Sequence, residues 1–140
     1  MTYALREYAP EDVEAVIALW QEVGLTRPWN DPHDDIAQAH KNWPRHFIVA
    51  VDDQYTVIGT VMSGYDGHRG WLYYVAVSAS WQSKGIGKAL VSEAEASLKA
   101  LGCVKTQLMV RGDNTAVLRF YDSLGYSVAD VVVSGKRLDA

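Results

Sequence analysis

Two glycines and two lysines lie close together near the middle of the chain, and their spacing is typical of an anion-binding turn. The stretch reads Gln82-Ser83-Lys84-Gly85-Ile86-Gly87-Lys88, and it follows the apolar residues 73–77. We interpret the apolar run as a strand and the stretch as the start of a helix. The first amides of a helix lack intrahelical partners, its dipole favours negative charge there, and glycine lets a phosphate approach the main chain. The stretch therefore predicts a phosphate site, although the same pattern also fits a plain strand-to-helix turn.

The glycine pattern matches neither of two common nucleotide motifs. The dinucleotide fingerprint G-x-G-x-x-G with its downstream acid is missing, and no Gly-Lys-Ser or Gly-Lys-Thr sequence follows the second glycine. Taken by itself, the turn still leaves open a plain nucleotide-binding α/β domain as one class of function.

The composition is that of an ordinary globular protein without a strongly basic character. The chain has 140 residues, of which 49% are hydrophobic and 21% charged, and its net charge is −4. This length is typical of a single domain, and the acidic balance argues against nucleic acid as a partner. Cys103 is the one cysteine in the sequence, so no internal disulfide is possible, which fits a reducing compartment. Without a signal-like N-terminus or a long apolar run, the sequence predicts a cytoplasmic protein with no membrane partner.

Hydrophobic periodicity predicts the element order β-α-α-β-β-β-α-β-α-β. Hairpin strands come first and βα units follow, which indicates an α/β domain with a mixed central sheet. Glycines end three of the four helices, and one proline followed by two acids marks the start of the first helix. The predicted strands are residues 3–8, 47–51, 57–63, 71–77, 106–110 and 127–133, with 136–138 as a further short one, and the helices are 10–23, 34–42, 85–101 and 114–124.

A second segment with chemical potential lies about thirty residues after the glycine turn. Asn114 is a good helix N-cap, and Tyr121 follows it by seven residues on the apolar face of the predicted helix. Gly125 ends that helix and Tyr126 follows it. A tyrosine hydroxyl can donate a proton or a hydrogen bond, but Tyr121 also fits the role of a core aromatic residue.

Together the two segments resemble the GNAT N-acetyltransferase superfamily. The strand residues Val75, Ala76 and Val77, followed four residues later by the glycine turn, are similar to its acetyl-coenzyme A signature. The segment from Asn114 through Tyr121 to the Gly-Tyr ending is similar to its late helix. The loops 27–32 and 64–70 further resemble the small bacterial YpeA-type subgroup. Val117 departs from the family, which more often has alanine there, and we expect only altered packing.

The resemblance covers essentially the whole chain, so it implies one N-acetyltransferase domain over residues 1–140. The implied fold is an α+β three-layer sandwich. Its mixed, mostly antiparallel central sheet would have six to seven strands, and about four helices would cover it. The implied activity is direct transfer of an acetyl group from acetyl-CoA to a primary amine, on a small molecule, an amino acid or a peptide or protein, with no metal.

The resemblance also implies roles for individual residues. The pyrophosphate would bind the amides of the glycine turn, and the pantetheine arm would pair with the preceding strand. Asn114 would contact the cofactor, and Tyr121 would contact it too and protonate the departing thiolate. The implied cofactor-binding set is Val75, Ala76, Val77, Gln82, Ser83, Lys84, Gly85, Ile86, Gly87, Lys88, Asn114 and Tyr121.

The acceptor side of the site is less specific in the sequence. We take Arg27, Trp29, Asn30 and Asp31 as candidates for its wall, with a self-packed loop as the equally weighted alternative. Asp66 is a further candidate, either for substrate contact or, like His68, Tyr73, Tyr74 or a water relay, for the base that deprotonates the amine. Each of these side chains also has an ordinary structural interpretation in turn chemistry or packing.

One rival function of another class uses the same fold. A non-catalytic sensor or interaction module could bind coenzyme A through the same turn without transferring an acetyl group. The glycines, Asn114 and Tyr121 favour the enzyme. The acceptor is not identified by the sequence, and both a monomer and a homodimer fit it.

Overall fold

The computed structural model describes residues 2–139, which form four α-helices and five strands. The strands are β1 (Tyr3–Glu7), β2 (Phe47–Asp52), β3 (Val57–Tyr65), β4 (Gly70–Val77) and β5 (Thr106–Gln107). The helices are α1 (Val13–Glu22), α2 (Pro32–Asn42), α3 (Ile86–Ala100) and α4 (Thr115–Ser123). Short 3-10 turns at Pro10–Asp12, Pro44–His46 and Ala79–Trp81 join these elements. None of the described helices is long and apolar enough to cross a membrane.

The described residues divide into two compact units. The first runs to Leu108 and the second begins at Met109. The first unit holds a five-stranded sheet in the order β1-β2-β3-β4-β5, with the first four strands antiparallel and β5 parallel to β4. This arrangement confirms the predicted α/β class and the mixed, mostly antiparallel sheet with four helices.

Successive side chains of a strand point to opposite faces of the sheet, so apolar side chains reach both faces in the first unit. Helices cover both of these faces. Phe47 and Val49 of β2 belong to a cluster with Trp20 of α1 and Ile36 of α2. The intervening side chains of β2 point to the other face. There α3 packs so closely that a Cβ built on Gly59 would lie 3.0 Å from Leu90. A layer of helices therefore lies on each side of the sheet.

The late strands predicted over residues 127–133 and 136–138 do not form in the described structure, so five strands replace the predicted six to seven. The strand predicted over 106–110 is also shorter, at Thr106–Gln107. Four valines of the late segment are 73–92% exposed: Val128, Val131, Val132 and Val133. Valine favours a strand mainly through packing on a neighbouring strand and a covered face. This segment lacks that packing, so its valine-rich composition predicted strands that do not form.

His46 connects the segment before β2 to α3 through a partly buried hydrogen bond. Its Nδ1 lies 3.0 Å from the Oγ of Ser97, and that hydroxyl in turn donates to the carbonyl of Ala94. Since the hydroxyl proton is used there, the imidazole Nδ1–H is the donor to Ser97. Burial, and then the nearby Arg45, lower the pKa of His46. The folded state therefore favours the neutral imidazole.

This lowered pKa predicts a stability that falls in mild acid. The unfolded chain protonates His46 near its ordinary pKa of about 6.5, whereas the folded protein resists protonation until lower pH. The free energy of unfolding should therefore decrease as the pH falls below about 6.5. We expect His46→Gln to flatten this dependence in urea titrations between pH 5 and 8. His68→Gln, which removes an exposed imidazole, is the control and should keep the wild-type slope; equal slopes for all three proteins would contradict the assignment.

Candidate active site

The predicted glycine turn connects β4 to α3 in a conformation suited to an anion. Ser83 and Gly85 both have positive φ angles, of 64° and 84°. Gly85 is the N-cap of α3, and no side chain there accepts a hydrogen bond from the first turn. A Cβ built on Gly85 would meet no atom within 4 Å. The first amides of α3 therefore begin an uncapped helix beside open space, as an anion-binding turn requires.

The flanking residues support this turn from both sides. The Nε2 of Gln82 donates to the carbonyl of Val77 at 3.3 Å, which ties the turn to the end of β4. Lys84 and Lys88 are exposed, and their positive charge lies on either side of Gly85. Ile86 is buried and anchors the first turn of α3 in the core. The turn is thus fixed to the sheet while its polar groups face outward.

β4 has an open edge next to this turn. β5 pairs with β4 only at Gly70 and Trp71. Beyond Trp71, no other strand of residues 2–139 pairs with β4 on that side. Tyr73 is 45% exposed, and β4 is less buried than β2 and β3. Within the first unit, the main-chain groups of β4 beyond Trp71 therefore have no strand partner on this side.

A bulge interrupts the pairing of β4 with β3 along the same part of the strand. Thr60 of β3 pairs with Ala76, and Met62 pairs with Tyr73, so Val61 opposes two residues of β4. One of these two, Tyr74, has a φ of 50°. A bulge leaves one residue outside the ladder and turns its main chain in a new direction. The bulge thus releases main-chain polar groups from the regular pairing with β3.

Three contacts hold Tyr74 in its unusual conformation. Its ring stacks on Trp20 with a centroid distance of 3.7 Å and an interplanar angle of 12°. Thr60 donates from its hydroxyl to the Tyr74 carbonyl at 2.8 Å and accepts from the Trp20 indole N–H at 2.9 Å. The Tyr74 hydroxyl donates to Asp35 of α2 at 2.6 Å. Backbone, ring and hydroxyl of one residue are therefore each fixed by a different element.

The proposed acceptor-wall residues mainly organise their own loop. Arg27 donates to the carbonyls of Gly24 and Thr26 at 2.8 and 2.9 Å, and Asn30 N–H donates to the Arg27 carbonyl. Asp31 caps α2 by accepting from the His33 amide at 2.9 Å. Trp29 is 59% exposed. The loop precedes α2, the helix that carries Asp35, so it is connected to the bulge through that helix.

Three of the side chains weighed as a general base have pKa values that disfavour the role. Asp66 accepts from the amides of Arg69 and His68, and these bonds lower the pKa of its carboxyl. Its other oxygen accepts from the indole of Trp71 at 3.3 Å. Burial raises the pKa of Tyr73 and, together with Asp35, that of Tyr74, so both phenols stay protonated near neutral pH.

The second unit carries the other two predicted residues. Asn114 is the N-cap of α4, and its Oδ1 accepts from the Val117 amide at 3.3 Å. Tyr121 is buried, and its ring forms edge contacts with Phe120 and Tyr126. Burial raises the pKa of Tyr121 to about 12. Its hydroxyl is therefore protonated at neutral pH and is available as a donor.

Sequence comparison then identifies the family. The model of the acetyltransferase (GNAT) family matches residues 12–126. The chain belongs to the GNAT family. It is also 46% identical over 134 residues to an acetyltransferase of Pectobacterium atrosepticum, a match that covers 96% of this chain and 94% of that protein.

Solved structures of the GNAT fold are similar to the chain over most of its length. Ard1 from Thermoplasma volcanium superposes with a TM-score of 0.82 at 25% sequence identity. The match covers 92% of this chain and 85% of the Ard1 chain. Chaetomium thermophilum Naa20, solved with a bisubstrate analogue, gives a TM-score of 0.78 at 26% sequence identity. This match covers 89% of this chain and 71% of the Naa20 chain. The GNAT fold predicted from the two motifs is therefore confirmed.

Sequence reasoning missed the residues that hold the bulge. The sequence patterns gave no functional role to Trp20, Thr60 or Asp35. Thr60 did carry a signal, since it is a hydroxyl residue inside an otherwise apolar run. A buried hydroxyl requires hydrogen-bond partners. The identity of those partners depends on long-range packing, which the local sequence does not contain.

The hydroxyl of Thr60 makes a sharp prediction for stability. Thr60→Val keeps the shape but leaves the Trp20 N–H and the Tyr74 carbonyl without this partner, and each buried unpaired group costs about 1–3 kcal/mol. We expect the free energy of unfolding in urea to fall by about 2 kcal/mol or more. Thr60→Ser keeps the oxygen and loses one methyl group, worth about 0.8 kcal/mol. Equal losses in the two variants would show that the hydrogen bonds do not matter.

Proposed function

We propose that this GNAT-family protein is an acetyl-CoA-dependent N-acetyltransferase that acts on primary amines. The observation that carries the proposal is the uncapped start of α3 soon after β4, a strand that is bulged in its pairing with β3 and has no strand partner beyond Trp71 on its other side. One feature suits a pyrophosphate, and the other suits an extended arm that ends in a carbonyl. The bisubstrate analogue in the similar Naa20 structure supports direct transfer between two ligands bound together.

The residues of the first unit fit acetyl-CoA. The pyrophosphate would bind the amides between Lys84 and Lys88, where Gly85 leaves open space and no side chain caps the helix. Gln82 and Ser83 would shape the turn. The pantetheine arm would pair with the main chain of Val75, Ala76 and Val77 as an added strand, a common way for proteins to bind extended ligands.

The chemistry required of the protein is modest. Acetyl-CoA supplies an acetyl group on an activated thioester. The protein must hold the carbonyl near an N–H donor, bring the neutral amine to it, and supply a proton to the sulfur. A main-chain N–H released by the bulge would polarise the carbonyl oxygen, and one such donor is typically worth about 3–4 kcal/mol. Positioning the two reactants side by side contributes further.

Tyr121 is our candidate for the donor to the departing sulfur, with Asn114 as a cofactor contact. A phenol with a pKa of about 12 is protonated at neutral pH. Full transfer to a thiolate, whose thiol has a pKa near 8.5, is uphill. The hydroxyl would therefore act first as a hydrogen-bond donor that stabilises developing negative charge on sulfur. Deprotonation of the amine is left to His68 or a water relay, because Asp66, Tyr73 and Tyr74 are poor bases.

The rival function is a coenzyme A sensor without turnover. A sensor would use the same turn and the same edge of β4, but it would not need Tyr121 as a proton donor. Release of free thiol in the presence of amines from several classes separates the two functions, since a sensor binds the cofactor and releases none.

Gly85 provides a test of cofactor binding with an internal control. Gly85→Ala introduces a side chain at a positive φ where the amides would meet phosphate, so calorimetry should show acetyl-CoA affinity reduced about tenfold or more. Gly102→Ala creates the same strain at the other end of α3, where φ is 91° and space is equally open. We expect similar thermal destabilisation in both variants but normal affinity in Gly102→Ala. Equal affinities would argue against the turn as the pyrophosphate site, and absence of any binding by the wild type would refute the proposed function.

Tyr121→Phe tests the proton donor. Removing the hydroxyl should lower kcat by about a hundredfold, the lower range for acid catalysis, while the acetyl-CoA dissociation constant changes less than about twofold. Tyr126→Phe removes a hydroxyl from the ring that packs against Tyr121 and serves as the matched control. A kcat for Tyr121→Phe equal to that of the control would exclude the role.

A further inference from the structure

Asp35 is a half-buried carboxylate without a cationic partner in the first unit. It lies in the first turn of α2, and its Oδ2 accepts the hydroxyl hydrogen of Tyr74 at 2.6 Å. Among residues 2–139, no lysine, arginine or histidine forms an ion pair with it. The phenol that it contacts is neutral near pH 7 because burial raises its pKa. The hydrogen bond therefore orients Asp35 without neutralising its charge.

The neighbouring acids of the first turn are different from Asp35. Asp31 caps the helix and lies 3.7 Å from the His33 ring, and its side chain is 58% exposed. Asp34 is exposed on the same turn. A charge in water attracts a ligand weakly, whereas a partly buried and fixed charge attracts it more strongly. Asp35 is thus the acid of this turn best suited to select a ligand by charge.

The position of Asp35 relative to the bulge is fixed by Tyr74. The main chain of Tyr74 forms the bulge, its ring is clamped on Trp20, and its hydroxyl meets Asp35. The carboxylate therefore lies one tyrosine side chain away from the bulge. That separation is too long for Asp35 to contact an amine that is attacking a carbonyl held at the bulge. It suits a second positive group elsewhere on the same acceptor.

We propose that Asp35 binds a second cationic group of the acceptor and so selects amines that carry two positive charges. The inference rests on the proposed acetyl transfer at the β4 bulge. The acceptor class is a diamine, a lysine with a free α-amine or a basic peptide N-terminus. The amine to be acetylated loses its proton before attack, while the distant ammonium keeps its charge and pairs with Asp35. Tyr74 is a positioning residue for this carboxylate.

The test compares 1,5-diaminopentane with pentylamine in thiol-release assays of the full-length protein. The wild type should show a KM for the diamine at least tenfold lower than for the monoamine. Asp35→Asn keeps an oxygen acceptor for Tyr74 but removes the charge. It should raise the ratio of the diamine KM to the pentylamine KM about tenfold, and this ratio cancels any effect on the bulge that both substrates share. Asp34→Asn removes an equal net charge from the same turn and should leave the diamine KM near the wild-type value.

Several outcomes would overturn the inference. These are an unchanged diamine KM in Asp35→Asn, an equal rise in Asp34→Asn, or a wild type that acetylates amines with no preference for the diamine. In the last case the proposed acetyl transfer would still stand. A wild type that binds acetyl-CoA in calorimetry but acetylates no amine in any class would refute both proposals and favour the sensor. Calorimetry with acetyl-CoA on Asp35→Asn should give a dissociation constant within about threefold of the wild type, because the asparagine oxygen still accepts from the Tyr74 hydroxyl and keeps the bulge in place.

Discussion

The left-handed conformation of Tyr74 is the constraint on which the site depends. A non-glycine residue at positive φ costs of order 1–3 kcal/mol and persists only where its surroundings determine it. Here a stacked tryptophan, a threonine hydroxyl and a carboxylate each fix a different part of the residue. The strain creates the bulge, and the bulge frees main-chain groups in a strand that would otherwise form a regular ladder. The local strain at Tyr74 thus frees main-chain groups of β4 from the regular ladder.

This arrangement explains how α1 and α2, which cover one face of the sheet, help to fix the conformation of β4. Trp20 reaches the bulge from α1, and Asp35 reaches it from α2, while Thr60 comes from the neighbouring strand β3. The helices therefore do more than cover the sheet. Their contacts with Tyr74 fix the main chain of β4. A shift of either helix would therefore change the direction of the main-chain groups that the bulge frees. The other face has a separate task, since α3 supplies the helix start.

Much of the fold could be predicted because its signals are local. Gly85 and Gly102 marked the two ends of α3, and the cap Asn114 marked the start of α4. The hairpin of β2 and β3 was predicted from two apolar runs. The late strands were wrong because valines alone do not supply a partner strand. Within the site, the turn could be predicted because its backbone chemistry is contiguous in the sequence. The clamp on Tyr74 could not, since Trp20 and Thr60 are forty residues apart in the chain and meet only after folding.

The open edge of β4 also has a consequence for how copies of this protein coexist in solution. An unpaired strand edge is a template that another extended chain can extend into an intermolecular sheet. Residues at positive φ break the flat repeat that such pairing needs, and bulges twist an edge out of line. Tyr74 therefore makes β4 a poor partner for a long, regular second strand. The strained residue at the centre of the candidate site therefore also disfavours edge-to-edge association between copies of this protein.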